Sequence, residues 1–232
     1  SIAKHGEVRH ETDESRCGSS SIYFAGNDND SLTLPNPELL IQSDTTNGTD
    51  AIIDSSDYAH SITVSGDAHH ETDEKKFGAS SLRFDGAGDY LTIGDTSTFK
   101  FLHDGSTDYT IEFWMNCDSL PTSGSYHFFA NHQNSSSGVA VACFLGTSGE
   151  LTFNIHRGVI STVYRNFTTP GILTAGNWHH IAIVFYNQAL QVYIDGVSQT
   201  NTGTGYSIVN TPSSANATRS MVFMASHGGA SN

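Results

Sequence analysis

The run Trp178-His179-His180-Ile181-Ala182-Ile183-Val184-Phe185-Tyr186 decides the fold. Read with a period of two, it puts His179, Ile181, Ile183 and Phe185 on one face and Trp178, His180, Ala182, Val184 and Tyr186 on the other. Both faces carry bulk, which suits the middle of a sheet in a two-layer fold. Upstream, Tyr109 to Met115 repeats the pattern, with Tyr109, Ile111, Phe113 and Met115 opposed to Glu112 and Trp114. Working outward, turn-separated alternation predicts strands from Asp108 to Asn116, Tyr126 to Asn131, Val139 to Leu145, Leu151 to His156, Ile160 to Tyr164, Leu190 to Ile194 and Ser220 to Ala225. No segment argues for a long helix.

Composition agrees. With 37% hydrophobic residues and 22 glycines in 232 positions, the chain suits short strands and tight turns, and single all-β domains reach this size. A net charge of -14 with only 10 Lys+Arg repels polyanions, so nucleic acid is not an expected partner. No apolar run approaches the roughly 18 to 20 residues of a membrane span, so membrane insertion is not expected either. Cys17, Cys117 and Cys143 are too few and scattered for a disulfide scaffold or zinc site, although Cys117 and Cys143 would be able to pair if their strands were neighbours. Four Asn-x-Ser/Thr sequons begin at Asn47, Asn134, Asn166 and Asn216, about the number that chance supplies in so Asn-, Ser- and Thr-rich a chain.

The chain also repeats itself. Shifted by sixty positions, Ser1-Ile2 falls on Ser61-Ile62, Gly6 on Gly66, and His10-Glu11-Thr12-Asp13-Glu14 on His70-Glu71-Thr72-Asp73-Glu74. Gly18, Ser20, Ser21, Phe24 and Gly26 then fall on Gly78, Ser80, Ser81, Phe84 and Gly86, and after a one-residue slip Leu32-Thr33 falls on Leu91-Thr92. About half of the first 26 positions are identical, which indicates duplication of a structural unit. Each copy reads as a hairpin: Ser80 to Phe84 alternate, Asp85-Gly86-Ala87-Gly88-Asp89 turn, and Tyr90 to Ile93 alternate again. Residues 1–36 are therefore expected to be a partial repeat, the remnant or tail of a preceding module, and residues 37–232 the main domain.

Three segments together resemble the laminin G-like, concanavalin A-like jelly roll. They are Phe77 to Gly86 with Asp89-Tyr90-Leu91, then Tyr109 to Trp114, then Trp178 to Ala182 followed by Leu190 to Gly196. The resemblance implies an all-β, antiparallel two-sheet sandwich of the kind repeated in secreted, cell-surface and bacteriophage structural proteins. It also implies a closing strand of Gly-x-Ile-Asp type near the C-terminus, which the chain lacks. A fragment of a longer protein is expected, with a strand from residues 1–36 or from a neighbouring chain filling the gap, since open sheet edges are normally covered.

Candidate sites follow. Glucanases of this architecture carry carboxylates at i, i+2 and i+4 of a strand; the nearest run, Glu71-Thr72-Asp73-Glu74-Lys75, puts lysine at the third position, so an enzyme is not expected. The pairs His69-His70 and His179-His180 point to opposite faces and do not converge on a metal. The resemblance makes Ca2+ the plausible ion, with Asp85 and Asp89 flanking one turn and Asp104 and Asp108 bordering the next strand; the alternative is that these aspartates only make their turns. Glycan contact is expected at strand ends or loops through Tyr126, His127, Asn131, His132, His156 and Arg157, the alternative being a hydrated rim. The expected function is a non-catalytic structural or adhesive module, extracellular or on a virion surface, whose partners are surface glycans or neighbouring subunits of an oligomer. A purely architectural role and an accessory carbohydrate-binding domain of a polysaccharide-degrading enzyme are the alternatives.

Overall fold

A computed structural model describes residues 8–11, 21–24, 37–95, 97–103, 107–132, 139–156, 163–187, 189–200 and 221–223. Among them lie the strands β1 (Val8–Glu11), β2 (Ser21–Phe24), β3 (Ile62–Ser65), β4 (His69–Glu71), β5 (Ser81–Arg83), β6 (Tyr90–Ile93) and β7 (Tyr109–Met115). After β7 come β8 (Tyr126–His132), β9 (Val139–Leu145), β10 (Leu151–His156), β11 (Val163–Phe167), β12 (His179–Tyr186), β13 (Ala189–Ile194), β14 (Val197–Ser198) and β15 (Met221–Phe223). The chain divides into two compact units, residues 1–60 with 69–83, and residues 61–68 with 84–232. This division differs from a cut at residue 37 because the second repeat is shared: its β4–β5 hairpin belongs to the first unit, while β3 and β6 belong to the second.

The second unit is an antiparallel sandwich. One sheet runs β11-β10-β9-β8-β15-β6-β3 and the other β14-β13-β12-β7. The decisive run is β12, flanked on both sides: Ile181 lies between Phe113 and Ile194, Ile183 between Ile111 and Val192, and Phe185 between Tyr109 and Leu190. These rows form the inner face, on which Ile181 and Ile183 are 0% exposed. Val141, Cys143, Leu145, Leu151 and Phe153 form the matching rows of the larger sheet, all buried. Phe113 meets Phe128 across the layers at 5.5 Å between ring centroids. Each buried Ile or Phe contributes roughly 1.5–3 kcal/mol, so the two inner faces supply most of the stability.

Met221–Phe223 runs between β6 and β8 and pairs with both, so that position in the larger sheet is filled from the C-terminal part of the chain. β7 and β9 lie in different sheets, so Cys117 and Cys143 are not brought together, and both thiols are free. Burial, with Asp118 adding repulsion, pushes Cys117 up to about 11, and burial alone pushes Cys143 higher still. Cys17 lies outside the described residues.

The first unit is held differently. The buried Asp54 carboxylate accepts the amides of Leu40 at 2.9 Å, Ser56 at 2.9 Å and His60 at 2.8 Å, and the Ser56 hydroxyl at 2.8 Å. Burial alone would raise its pKa, but the three amides outweigh it and leave Asp54 below the ordinary carboxylate value. Residues 43–49 form a strap along β4. Gly48 donates its amide to the His70 carbonyl and the His70 amide donates to the Thr49 carbonyl, each at 2.8 Å. The Ser43 hydroxyl lies 2.6 Å from His70 Nδ1 and 2.9 Å from the Ser80 hydroxyl, which also accepts the Thr45 amide at 3.1 Å. Asp44 accepts the Ala79 amide at 2.6 Å and Asn47 the Thr72 amide at 3.0 Å.

The repeat is visible in the pairing. In the second copy His69 faces Arg83, His70 faces Leu82 and Glu71 faces Ser81. Sixty positions earlier Arg9 faces Tyr23, His10 faces Ile22 and Glu11 faces Ser21. The duplicated sequence thus specifies the same register twice.

Candidate functional site

The turn after β13 explains the His-His and Asp-Gly elements of the sequence together. Asp195 and Gly196 have φ of +51° and +77°, the left-handed pair that a tight two-residue hairpin needs. Asp195 accepts the His180 amide at 2.8 Å, and its other oxygen receives His179 Nδ1–H at 2.8 Å. His179 Nε2 accepts the Thr174 amide at 3.2 Å, so that nitrogen carries no proton and the tautomer is set by its surroundings. Partial burial would raise Asp195, but the His179 bond and the His180 amide outweigh it and hold the carboxyl below its ordinary value. His179 is therefore a buried anchor for the hairpin.

His180 points the other way, onto the outer face of the four-stranded sheet. It sits opposite Trp114 with ring centroids 5.1 Å apart, and its Nε2 lies 3.8 Å from the Glu112 carboxylate. Ala182 separates Glu112 from Tyr193 in the next row, leaving a shallow floor between them. Tyr186, at the end of β12, is 69% exposed. An indole, an imidazole, a phenol ring and a carboxylate thus share one solvent-facing surface, apolar faces beside hydrogen-bonding groups. Sequence reading placed Glu112 with Trp114 on one face but had no means to pair β7 with β12.

Five of the six residues expected to contact glycan lie on β8 and β10 of the larger sheet. Tyr126 opens β8 and faces Leu145, and His127 faces Phe144 with ring centroids 5.4 Å apart. Asn131 and His132 close β8, in register with Val141 and Val139, and His156 closes β10 opposite Val163. β9 lies between β8 and β10. Arg157 lies outside the described residues.

Of the expected calcium ligands, Asp85 and Asp89 come together with Asp67, which sequence reading missed, their oxygens within 4.8 Å of one another. Asp89 is buried and accepts the Asp67 amide on one oxygen and the Asp85 amide on the other, both at 2.8 Å. Burial opposes ionisation of Asp89, but these amides outweigh it and depress its pKa. Asp67 is raised by its hydrogen bond to Asp89 and then by repulsion from Asp89 and Asp85. Gly66, at φ +76°, allows the approach, since a Cβ there would run into the Asp89 carboxylate. The donors are the hard oxygens that calcium takes, and Asp67 and Asp85 are exposed. Asp108 is elsewhere, accepting the Asn187 amide at 2.9 Å to hold the β12–β13 turn, and Asp104 lies outside the described residues. The acidic run of the second repeat serves its own loop: Glu71 accepts the amides of Thr72 at 2.7 Å and Asp73 at 3.0 Å.

Comparison with known proteins supplies a family and a fold. A laminin G-type family model, described as the Concanavalin A-like lectin/glucanases superfamily, matches residues 85–229. Solved structures that resemble this chain include the receptor binding domain of botulinum neurotoxin C/D mosaic serotype and that of botulinum neurotoxin D, each at TM-score 0.56 and 13% identity over 80% of this chain. The binding domain of botulinum neurotoxin DC in complex with SialylT resembles it at TM-score 0.50 and 13% identity over 82% of this chain. The chain spans 42 to 44% of these neighbours' length. No curated protein matches it.

Proposed function

Because this chain belongs to the concanavalin A-like lectin/glucanases superfamily, we propose that it is a non-catalytic module that binds glycans on the outer face of its four-stranded sheet. The observation that carries the reading is the row of Trp114, His180 and Glu112, with Tyr193 beyond Ala182. A sugar presents an apolar C–H face to an aromatic ring and hydroxyls to carboxylate and imidazole, the mixture this surface offers. A similar toxin domain solved in complex with SialylT supports the ligand class. Rigid strands carry every one of these side chains, so little ordering opposes binding.

In this reading the module works outside a cell or on a particle surface, and weak single sites add by avidity in a larger assembly. Tyr126 and His127 on β8 are the corresponding proposal for the larger sheet. Calcium, at Asp67, Asp85 and Asp89, has a supporting role and touches no step of recognition.

The test is a glycan array followed by titration calorimetry on the best hit. Trp114→Ala and Glu112→Gln are each expected to weaken binding about tenfold, or about 1.4 kcal/mol, with a normal circular dichroism spectrum. Binding of a glycan that neither substitution weakens removes the outer face as the site.

A further inference from the structure

On the reading that sugars are bound at the outer face of the four-stranded sheet, the charge of that face narrows the class of sugar. No Lys or Arg occurs in β7, β12, β13 or β14. The face carries Glu112, whose side chain is 66% exposed, and at its hairpin end Asp195, whose side chain is 47% exposed. Asp195 is engaged within its own hairpin by the His179 ring and the His180 amide. Glu112 differs. Among the described residues, the basic group beside it is the His180 imidazole, 3.8 Å away and too far for a hydrogen bond.

Trp114 and Glu112 share a face of β7 two residues apart, which sets them about 6.6 Å apart along the strand. Across from Glu112 stands Ala182, whose methyl group leaves room, and beyond it Tyr193. The carboxylate therefore borders a floor that an indole and a phenol ring also border. Such a surface suits a cation that carries its own apolar body, because aromatic faces attract an ammonium and a carboxylate pairs with it directly. A carboxylated or sulfated sugar meets the reverse. It brings another anion to a chain of net charge -14, on a sheet with no cationic Lys or Arg side chain to receive it. An acetamido sugar lies between the two, able to stack but not to form the ionic contact.

We infer that the sugar taken by this face is an unacetylated hexosamine, stacked on Trp114 with its ammonium against Glu112. Trp114 supplies a contact that any pyranose can use, and Glu112 supplies the choice among them. Acidic sugars are rejected by the absence of a partner for their charge as well as by repulsion from Glu112.

Calorimetric titration of the full chain compares glucosamine and N-acetylglucosamine oligomers of equal length with a sialylated oligosaccharide, in buffer that keeps the free amine protonated. The glucosamine oligomer is expected to bind about fivefold more tightly than the acetylated one, the upper end for an ion pair at an exposed site. The sialylated sugar is expected to bind more weakly than either. Glu112→Gln should bring the ratio of the first two to about one, whereas Trp114→Ala should weaken both, with circular dichroism as the check on folding. Equal or tighter binding of the acetylated or sialylated sugar overturns the inference and leaves glycan binding standing. A preference for glucosamine that survives Glu112→Gln also overturns it, since the preference would then reflect attraction to the acidic chain as a whole. Binding of no sugar at all removes the proposed function and the amine preference together.

Discussion

The sandwich and the strap region are stabilised by opposite means. In the sandwich, rows such as Phe113–Ile181–Ile194 bury apolar side chains between two layers, and no single polar group decides the outcome. In residues 37–60 and 69–83, a few polar side chains gather backbone amides: Asp54 holds three, and His70 with Ser43 and Ser80 holds the strap. Apolar burial is non-directional and spread over many residues, whereas a buried carboxylate concentrates the stability of a whole loop on one side chain. The two regions should therefore fail differently.

The largest effect is expected in the sandwich. Ile183→Ala should cost about 2–5 kcal/mol by opening a cavity between Ile111 and Val192, seen as a lower midpoint in chemical unfolding of the whole sandwich. A loss confined to residues 37–60 would contradict the comparison. Asp54→Ala should cost less, about 2–3 kcal/mol, and locally, since it leaves the Leu40, Ser56 and His60 amides without their acceptor. Hydrogen exchange should speed up across residues 38–60 while β12 keeps its protection. The pH dependence has the same origin. Asp54 is depressed in the folded state, so its contribution is complete above the unfolded value of about 3.9 and is lost as pH falls through the lower folded value. Acidification below about pH 4 should release the strap region before the sandwich, and Asp54→Ala should abolish that step.

This contrast also governs what could be read in advance. β9 and β10 were legible to the residue, and β7, β12 and β13 to within one or two, because alternation is imposed by two-sided burial and is written locally. β4 was not, being three residues, His69–Glu71, whose partners are hydroxyls and amides of a strap twenty or so positions away. Asp54 had no signal at all, since an aspartate that gathers amides looks like any surface aspartate. Asp67 was missed for a related reason: Asp85 and Asp89 are neighbours in sequence, whereas Asp67 arrives through the pairing of β3 with β6. The repeat was the one long-range polar signal, and it marked His70 and Ser80 without revealing what they hold.

The smallest expected effect lies where the sandwich itself behaves like the strap region, at Asp67, Asp85 and Asp89. Asp89 has one task that needs no ion, the clamp on the amides of residues 67 and 85. Placing the slip of the repeat within the turn sets Asp30 on Asp89, and Gly6 falls on Gly66, but Ala25 stands where Asp85 does. Of the two turn aspartates, Asp85 is thus the one without a carboxylate counterpart in the first copy. Calcium binding at the three carboxylates should be weak, in the millimolar range, and at saturating calcium should contribute about 1 kcal/mol, or about 2–4 °C in Tm. Asp85→Asn should remove this increment and leave the calcium-free Tm nearly unchanged, whereas Asp89→Asn should lower Tm with or without the ion. Since Asp67 is raised toward protonation by Asp89, the increment should shrink as pH falls toward the carboxylate range. Scanning calorimetry in calcium and in chelator decides it: identical melting curves would leave Asp89 as a clamp and nothing more.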